Sequence, residues 1–267
     1  MNPFESILLG LTQGLTEFIP VSSSGHLSIM QNLIGASGDG FHLFLEFINI
    51  GTLLALLIFF RKRIIAILGD VFVRKNYRLA VNILITSIPA GIVGLLAAKF
   101  IEAAPFFGHL ISVGVAMGAV GVLMILVNKL PSLSKLKDEN KLTKPRALMI
   151  GLAQMLALIP GVSRSGATIL TGRTMGLNSA SAAEYSFLAS IPLMCGVVLK
   201  TFISSSDRIY FVDNLWSLLL SNLVAMVAGL VALRFLLKFL KKRGALQMFG
   251  WYRVILGCLV LIIALIQ

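Results

Sequence analysis

The stretch QGLTEFIPVSSSGHL, from Gln13 to Leu27, is polar and interrupted by proline, although the sequence on both sides of it is apolar. It brings together a glutamate, three consecutive serines and a histidine. Such side chains are costly at the depth of a lipid bilayer, so in apolar surroundings they are retained for function more often than for packing. The stretch therefore indicates where a functional site lies.

A related stretch, GLAQMLALIPGVSRSGAT, runs from Gly151 to Thr168, about 140 residues further along the chain. Aligned with Gly10–Leu27, it is identical at Gly151, Leu152, Gln154, Leu156, Val162, Ser163, Ser165 and Gly166. The proline is displaced by one position. We interpret the pair as an internal repeat, with halves at 1–128 and 146–267 joined by a basic cytoplasmic loop at 129–145.

The composition predicts a single membrane domain, 1–267, rather than a soluble one. Hydrophobic residues make up 57% of the chain, charged residues 13%, and the mean hydropathy is +0.93, so a soluble form would expose too much apolar surface. The net charge of +12 could suggest nucleic acid, but the basic residues fall in short loops between apolar runs. We therefore expect membrane lipids, and no nucleic acid, as partners.

Six apolar runs are long enough to cross the hydrocarbon core of a bilayer. They lie at 41–60, 79–98, 106–127, 182–203, 215–236 and 249–267. Basic loops follow the first, third and fifth runs, and the loops between them carry few charges. Because basic loops stay in the cytoplasm, both termini are predicted to lie outside.

The two polar stretches fit this topology only as re-entrant hairpins, at 5–35 and 147–176, that enter from opposite faces. If either one crossed the membrane, every later basic loop would lie on the wrong side. The predicted fold is an all-α integral membrane protein with an inverted-topology repeat, six transmembrane helices and two re-entrant helical hairpins. Broken helices at that depth surround a cavity or are buried in protein, so we expect a polar cavity that opens to the outer side.

Two helix starts are predicted at this cavity, one after Pro20 and one after Pro160. Free backbone N–H groups at a helix start, together with hydroxyl groups and a cation, favour an anion, most naturally phosphate. The cation is Arg164. The residues predicted to bind phosphate beside it are Ser22, Ser24, Gly25, Ser163, Ser165, Gly166 and Thr168.

The halves of the repeat differ where chemistry is expected. Ser23 aligns with Arg164, and apolar residues occupy the positions of Glu17 and His26 in the second half. We predict that Ser23 is a nucleophile facing a phosphoryl group held by Arg164, with His26 as general acid or base. Gln13 and Glu17 stand four residues apart on one helix face, where they can share a divalent cation such as Mg²⁺ or Ca²⁺.

The motifs EFIPVSSSGHL and PGVSRSGAT resemble the two signature motifs of the bacitracin-resistance undecaprenyl-diphosphate phosphatase family, over essentially the whole chain. The family's acidic motif is matched by Gln13 and Glu17, its serine motif by 22–26 and its arginine motif by 160–168. The resemblance implies a hydrolase of the bacterial plasma (inner) membrane that converts a polyprenyl diphosphate to the monophosphate and inorganic phosphate. That reaction recycles the lipid carrier for peptidoglycan synthesis in the cell wall and gives bacitracin resistance. A homodimer is compatible with these features.

Several alternatives stay open at this stage. The Ser23 proton could pass to His26 or to Glu17, or water could attack phosphorus directly. Glu46 and Glu184, each in an apolar run, either support the site or contact the substrate. A lipid-phosphate flippase or secondary transporter would suit the same inverted repeat. The acid-phosphatase-like lipid phosphatases are set aside, because their lysine-arginine-proline motif is missing.

Overall fold

The structure, a computed structural model, describes residues 1–35, 39–103, 109–127, 136 and 139–266, with the backbone alone at 39 and 98–103. The described part is helical. Its helices are α1 Pro3–Phe18, α2 Ser23–Ile34, α3 Asp39–Phe47, α4 Asn49–Phe59, α5 Arg61–Phe72, α6 Arg78–Ala103, α7 Leu110–Leu126, α8 Lys144–Met155, α9 Arg164–Thr174, α10 Ser179–Ile203, α11 Ser205–Asp213, α12 Leu215–Phe239 and α13 Ala245–Ile266. Single 3₁₀ turns lie at Glu139–Lys141 and Leu156–Leu158.

Five helical segments of the described chain are long and apolar enough to cross a membrane, so the multi-pass class predicted from composition is confirmed. They are Gly40–Phe59, Arg78–Ala97, Ser179–Ile203, Leu215–Phe239 and Ala245–Ile266. The predicted run at 106–127 corresponds to a shorter apolar helix, α7, and its residues 106–108 lie outside the described part. Residues 129–135 and 137–138 of the predicted basic loop also lie outside it.

The polar stretch of the first half folds as two short helices, α1 and α2, with a break between them. Asn2 and Glu5 form a reciprocal capping box at the start of α1. The helix ends at Phe18, because Pro20 lacks the N–H that would continue it. α2 ends at Ile34 and is followed by Gly35, which adopts the left-handed conformation (φ 65°) that closes a helix. α8 and α9 form the corresponding pair in the second half.

Glycine residues let helices from the two halves approach closely. A Cβ added at Gly10 on α1 would come within 2.5 Å of the Ser221 carbonyl oxygen on α12. A Cβ added at Gly151 on α8 would come within 2.7 Å of the Thr86 carbonyl oxygen on α6. Small residues at such contacts are what allow helix backbones to pack without a hydrophobic driving force in lipid. Each polar helix pair is thereby fixed against a long helix of the other half.

The third long helices of the two halves, α7 and α13, pack against each other in the same way. A Cβ at Gly114 would lie 3.0 Å from the Gly257 carbonyl oxygen, and one at Gly121 would lie 2.8 Å from that of Gly250. These contacts bring α13 alongside the breaks in both polar stretches.

Candidate active site

Both polar stretches turn at a serine in the left-handed region of backbone conformation, Ser22 with φ 77° and Ser163 with φ 72°. A residue with a Cβ is strained there by about 1–3 kcal/mol. Each serine Oγ accepts the N–H of the glycine three residues on, Gly25 at 3.3 Å and Gly166 at 3.1 Å. The two serines therefore cap α2 and α9 identically, as the repeat predicts.

The Arg253 side chain, on α13, binds both of these breaks. It is fully buried. Its Nη1 donates to the Pro20 carbonyl oxygen at 3.3 Å, and its Nη2 donates to those of Gly161 and Val162 at 2.7 and 3.0 Å. Its Nε donates to the Met117 carbonyl oxygen at 3.2 Å. One guanidinium thus satisfies backbone acceptors that the two broken helices leave without partners.

Glu17 is the centre of the candidate site. Its Oε2 accepts a hydrogen bond of 2.6 Å from Ser23 Oγ and one of 3.1 Å from Gln13 Nε2. Its Oε1 pairs with Arg164 Nη2 at 2.6 Å, and the two side chains of this pair are only 12% and 14% exposed. Gln13 Nε2 also donates to Asn49 Oδ1 at 2.8 Å. The structure therefore brings Arg164 to the predicted nucleophile, carboxylate and amide, which all lie in the first polar stretch of the sequence.

Hydroxyl groups of the predicted phosphate-binding set bond to the protein around these breaks. Ser24 Oγ accepts the Gly161 N–H at 3.3 Å, which joins the two stretches directly. Thr168 Oγ1 donates to the Arg164 carbonyl oxygen at 2.8 Å and also bonds to Ser186 Oγ. Ser165 Oγ lies 3.2 Å from Ser163 Oγ, and both residues are buried. A phosphate contact for Ser22, Ser24, Gly25, Ser163, Ser165, Gly166 and Thr168 stays a prediction.

His26 has other partners than Ser23. Its Nδ1 lies 2.7 Å from the Ser22 carbonyl oxygen, and its Nε2 lies 2.7 Å from the Tyr252 hydroxyl. The His26 and Tyr252 rings are parallel, with centroids 5.8 Å apart. The imidazole is therefore held between the first break and α13, and its predicted role as general acid or base stays a prediction.

A cavity of about 830 Å³ opens beside Glu17. Its polar lining comprises Gln13, Glu17, Ser23, Ser24, Ser28, Gln31, His42, Glu46, Asn49, Lys200 and Asp207. Glu46 thus lies at the candidate site. Glu184 does not line the cavity, and its carboxylate lies 3.8 Å from Arg63 Nε.

The donor set around Glu17 fits a divalent cation. Within the described ranges, no cluster of three His, Cys, Asp or Glu side chains could hold a metal ion. However, Glu17 is joined by the amides of Gln13 and Asn49, and rotation of the Gln13 amide would present its Oε1 in place of its Nε2. Carboxylate and amide oxygens are the ligands that Mg²⁺ and Ca²⁺ prefer.

Arg253, Tyr252 and Asn49 bond to the predicted site but were not identified from the sequence. A signal existed for two of them, because Arg253 and Asn49 are polar side chains within apolar runs, which indicates function by default. Tyr252 gave no signal, since a tyrosine near the end of such a run is typical of a membrane interface.

Comparison with known proteins identifies the family of this chain. The family described as bacitracin resistance protein BacA matches residues 6–259. The chain belongs to this family. An undecaprenyl-diphosphatase of Acinetobacter baumannii is 35% identical over 99% of this chain and 98% of its own length. An undecaprenyl-diphosphatase of Nitrosomonas europaea is 33% identical over 97% of this chain and 94% of its own length. One of Korarchaeum cryptofilum is 36% identical over 98% of this chain and 99% of its own length. The resemblance of the two motifs to this family is thereby confirmed.

Proposed function

We propose that this protein hydrolyses undecaprenyl diphosphate to undecaprenyl phosphate and inorganic phosphate in the cavity beside Glu17, with Ser23 as the nucleophile. The activity follows from membership of the BacA family. Relatives named undecaprenyl-diphosphatase match this chain over nearly their whole length. The observation that carries the choice of nucleophile is the 2.6 Å hydrogen bond from Ser23 Oγ to Glu17 Oε2. A flippase would need groups that recognise the lipid, but it would not need a serine that is hydrogen-bonded to a carboxylate.

In the first step, Ser23 Oγ attacks the terminal phosphorus and its proton passes to Glu17. The bond between that phosphorus and the bridging oxygen breaks, and undecaprenyl phosphate leaves. Glu17 is favoured over His26 as the base because it already accepts the Ser23 hydrogen, whereas both His26 nitrogens face other groups. In the second step, water attacks the phosphoserine, and the bond between phosphorus and Ser23 Oγ breaks. The Glu17 proton returns to Ser23 Oγ, inorganic phosphate leaves, and the proton that water loses is released to solvent.

Arg164 is the residue we expect to clamp the phosphates. Its Nη2 is paired with Glu17, and its Nη1 is buried without a hydrogen-bond partner among the residues that the structure describes. A buried donor without a partner is costly, so a phosphate oxygen at this position would be stabilised. Phosphoryl transfer depends mainly on such positioning and charge neutralisation.

Glu17, Gln13 and Asn49 are the residues that would hold a divalent cation, Mg²⁺ or Ca²⁺. Bound there, it would supply positive charge to the diphosphate oxygens. Gln13 contributes no negative charge to this set, so the protein's own affinity for the cation rests on Glu17 and the neutral amides.

We propose the inverted-topology repeat for the membrane fold, with six crossings and two re-entrant hairpins. The packing of the helices supports it, because the same contacts recur when the two halves are exchanged. α1 packs on α12 in the same way as its counterpart α8 packs on α6. The pairs α7 with α13 and α4 with α10 each join two equivalent helices. Ser22 and Ser163 share their unusual conformation and their capping bond. In this arrangement the cavity beside Glu17 opens to the outer face of the bacterial inner membrane, and both termini lie there.

The test of the function is phosphate release from a long-chain polyprenyl diphosphate by the purified protein in detergent. We expect one inorganic phosphate per lipid, with loss of turnover on addition of a chelator and recovery on addition of Mg²⁺ or Ca²⁺. Phosphate release that a chelator leaves unchanged would contradict the cation site only. Transfer of the intact diphosphate lipid between leaflets of a vesicle, without phosphate release, would instead favour the flippase.

The test of the topology is cysteine labelling in whole cells. The background variant carries Cys195→Ser and Cys258→Ser, because both native cysteines are exposed on the protein surface. We expect Arg208→Cys to react with an impermeant maleimide from outside, and Lys242→Cys to react only after the cells are opened. Both positions are exposed and flank the same helix, α12. Labelling of both from one side would contradict the predicted crossing.

A further inference from the structure

A second cavity, of about 620 Å³, lies at the other end of the helical bundle. It is lined by Arg173, Asn178, Lys241, Lys242 and Arg243, with the first residues of α10. Lys200, near the last turn of α10, lines the first cavity. From Ser179 to Lys200 the helix rises by about 31 Å, close to the thickness of the hydrocarbon core. The two cavities therefore open at opposite faces.

The second cavity is strongly basic. Four cationic side chains line it, and no carboxylate does so among the residues that the structure describes. Arg173 donates from Nη1 to the Leu177 carbonyl oxygen at 3.1 Å. Its Nε is buried and has no hydrogen-bond partner among the residues that the structure describes. Several cations around one concave space, with an unsatisfied guanidinium N–H, favour an anion that has several oxygen acceptors, such as a phosphate group.

The surface next to this cavity is apolar and aromatic. Lys242 Nζ lies 5.7 Å from the centre of the Phe239 ring, and Phe239 packs against Phe235 and Phe249 with centroids 5.3 and 5.4 Å apart. Phe235 is 52% exposed, and Trp251 on the neighbouring helix is 57% exposed. A ligand whose phosphate lies among the cations would thus have room for acyl chains against these rings.

We propose that this basic cavity, formed by Arg173, Lys241, Lys242 and Arg243, holds the headgroup of an anionic phospholipid in the leaflet opposite the active site. The cations bind the phosphate, and the exposed rings of α12 and α13 contact the acyl chains. Basic pockets between transmembrane helices are suited to such headgroups, because each Lys or Arg near an anionic membrane surface adds to the attraction. A free phosphate would use the cations but not the rings.

The experiment measures lipid binding to the purified protein in a neutral detergent by native mass spectrometry, with phosphatidylglycerol and phosphatidylcholine as probes. The test variant is Lys241→Gln/Lys242→Gln/Arg243→Gln. The matched control is Arg61→Gln/Lys62→Gln/Lys75→Gln, which removes three exposed cations at the same end of the bundle but outside the cavity. We expect phosphatidylglycerol to bind about a hundredfold more weakly to the test variant, with the control close to wild type. Both variants should keep wild-type turnover, which shows that they fold.

Three outcomes would overturn the proposal. Equal weakening in the test and control variants would mean general attraction to a positive surface. Equal binding of phosphatidylglycerol and phosphatidylcholine to the wild type would mean that the headgroup charge is not recognised. Binding of inorganic phosphate that depends on Lys241, Lys242 and Arg243, without any preference for phosphatidylglycerol, would make the ligand a free anion and the lipid assignment wrong.

Discussion

Replacing Ser23 by alanine should lower turnover by about three powers of ten or more while leaving binding of the lipid diphosphate nearly unchanged. The hydroxyl that is removed donates a hydrogen bond of 2.6 Å to Glu17 Oε2. Without it, the covalent route has no nucleophile. Arg164 still carries a buried Nη1 without a partner in the described chain, and it can still hold the phosphates. A loss confined to turnover is the signature of an interaction made only in the reaction itself.

The neighbouring serines are the matched controls for this change. Ser22 Oγ caps α2 through the Gly25 N–H, and Ser24 Oγ accepts the N–H of Gly161. Alanine at either position should destabilise the break by about 1 kcal/mol and remove only part of the activity. Early acid quenching of the wild-type reaction should give phosphate bound to Ser23, which peptide mass spectrometry can locate.

Two results together would make serine attack wrong. The first is substantial turnover by Ser23→Ala, and the second is complete loss of turnover in His26→Ala. Direct attack by water, or a phosphohistidine route, would then replace the mechanism proposed here. His26→Ala alone is ambiguous, because His26 also bonds to the Ser22 carbonyl oxygen and to Tyr252.

The sequence predicted the parts of the fold that depend on depth in the membrane. Five of the six predicted apolar runs coincide, to within a few residues, with the helical segments that are long enough to cross a membrane, because hydrophobic length is a property of the sequence itself. The repeat aligned Ser22 with Ser163, and both serines cap a helix through the same hydrogen bond, since identical residues at a broken helix satisfy the same unpaired N–H groups.

The sequence could not predict which way a side chain faces around its helix once tertiary packing decides. His26 lies in the predicted motif, yet its ring contacts Tyr252, more than 200 residues away in the sequence. Glu46 and Glu184 were equivalent by position, but Glu46 lines the cavity whereas Glu184 lies near Arg63. Such choices depend on contacts between the two halves, which a single sequence does not contain.

Replacing Arg253 by methionine should lower the free energy of unfolding by about 3–5 kcal/mol. Methionine keeps much of the volume but leaves the carbonyl oxygens of Pro20, Gly161 and Val162 without the donor that they share, in a site with no exposure to solvent. The two strained breaks, at Ser22 and Ser163, would then lose their common support. The measurement is the thermal unfolding midpoint in detergent, together with turnover, and both should fall.

Arg164→Lys is the matched change at the other arginine, and it should lower turnover without lowering the unfolding midpoint. Lysine keeps the charge beside Glu17, so the unfolding midpoint should stay close to wild type. It loses the planar fork that can hold Glu17 and a phosphate at once, which should cost about 2 kcal/mol in the reaction, or roughly a thirtyfold loss of turnover. If Arg253→Met unfolds at the wild-type temperature, the breaks do not depend on that guanidinium. If Arg164→Lys keeps normal turnover, the phosphate clamp is wrong.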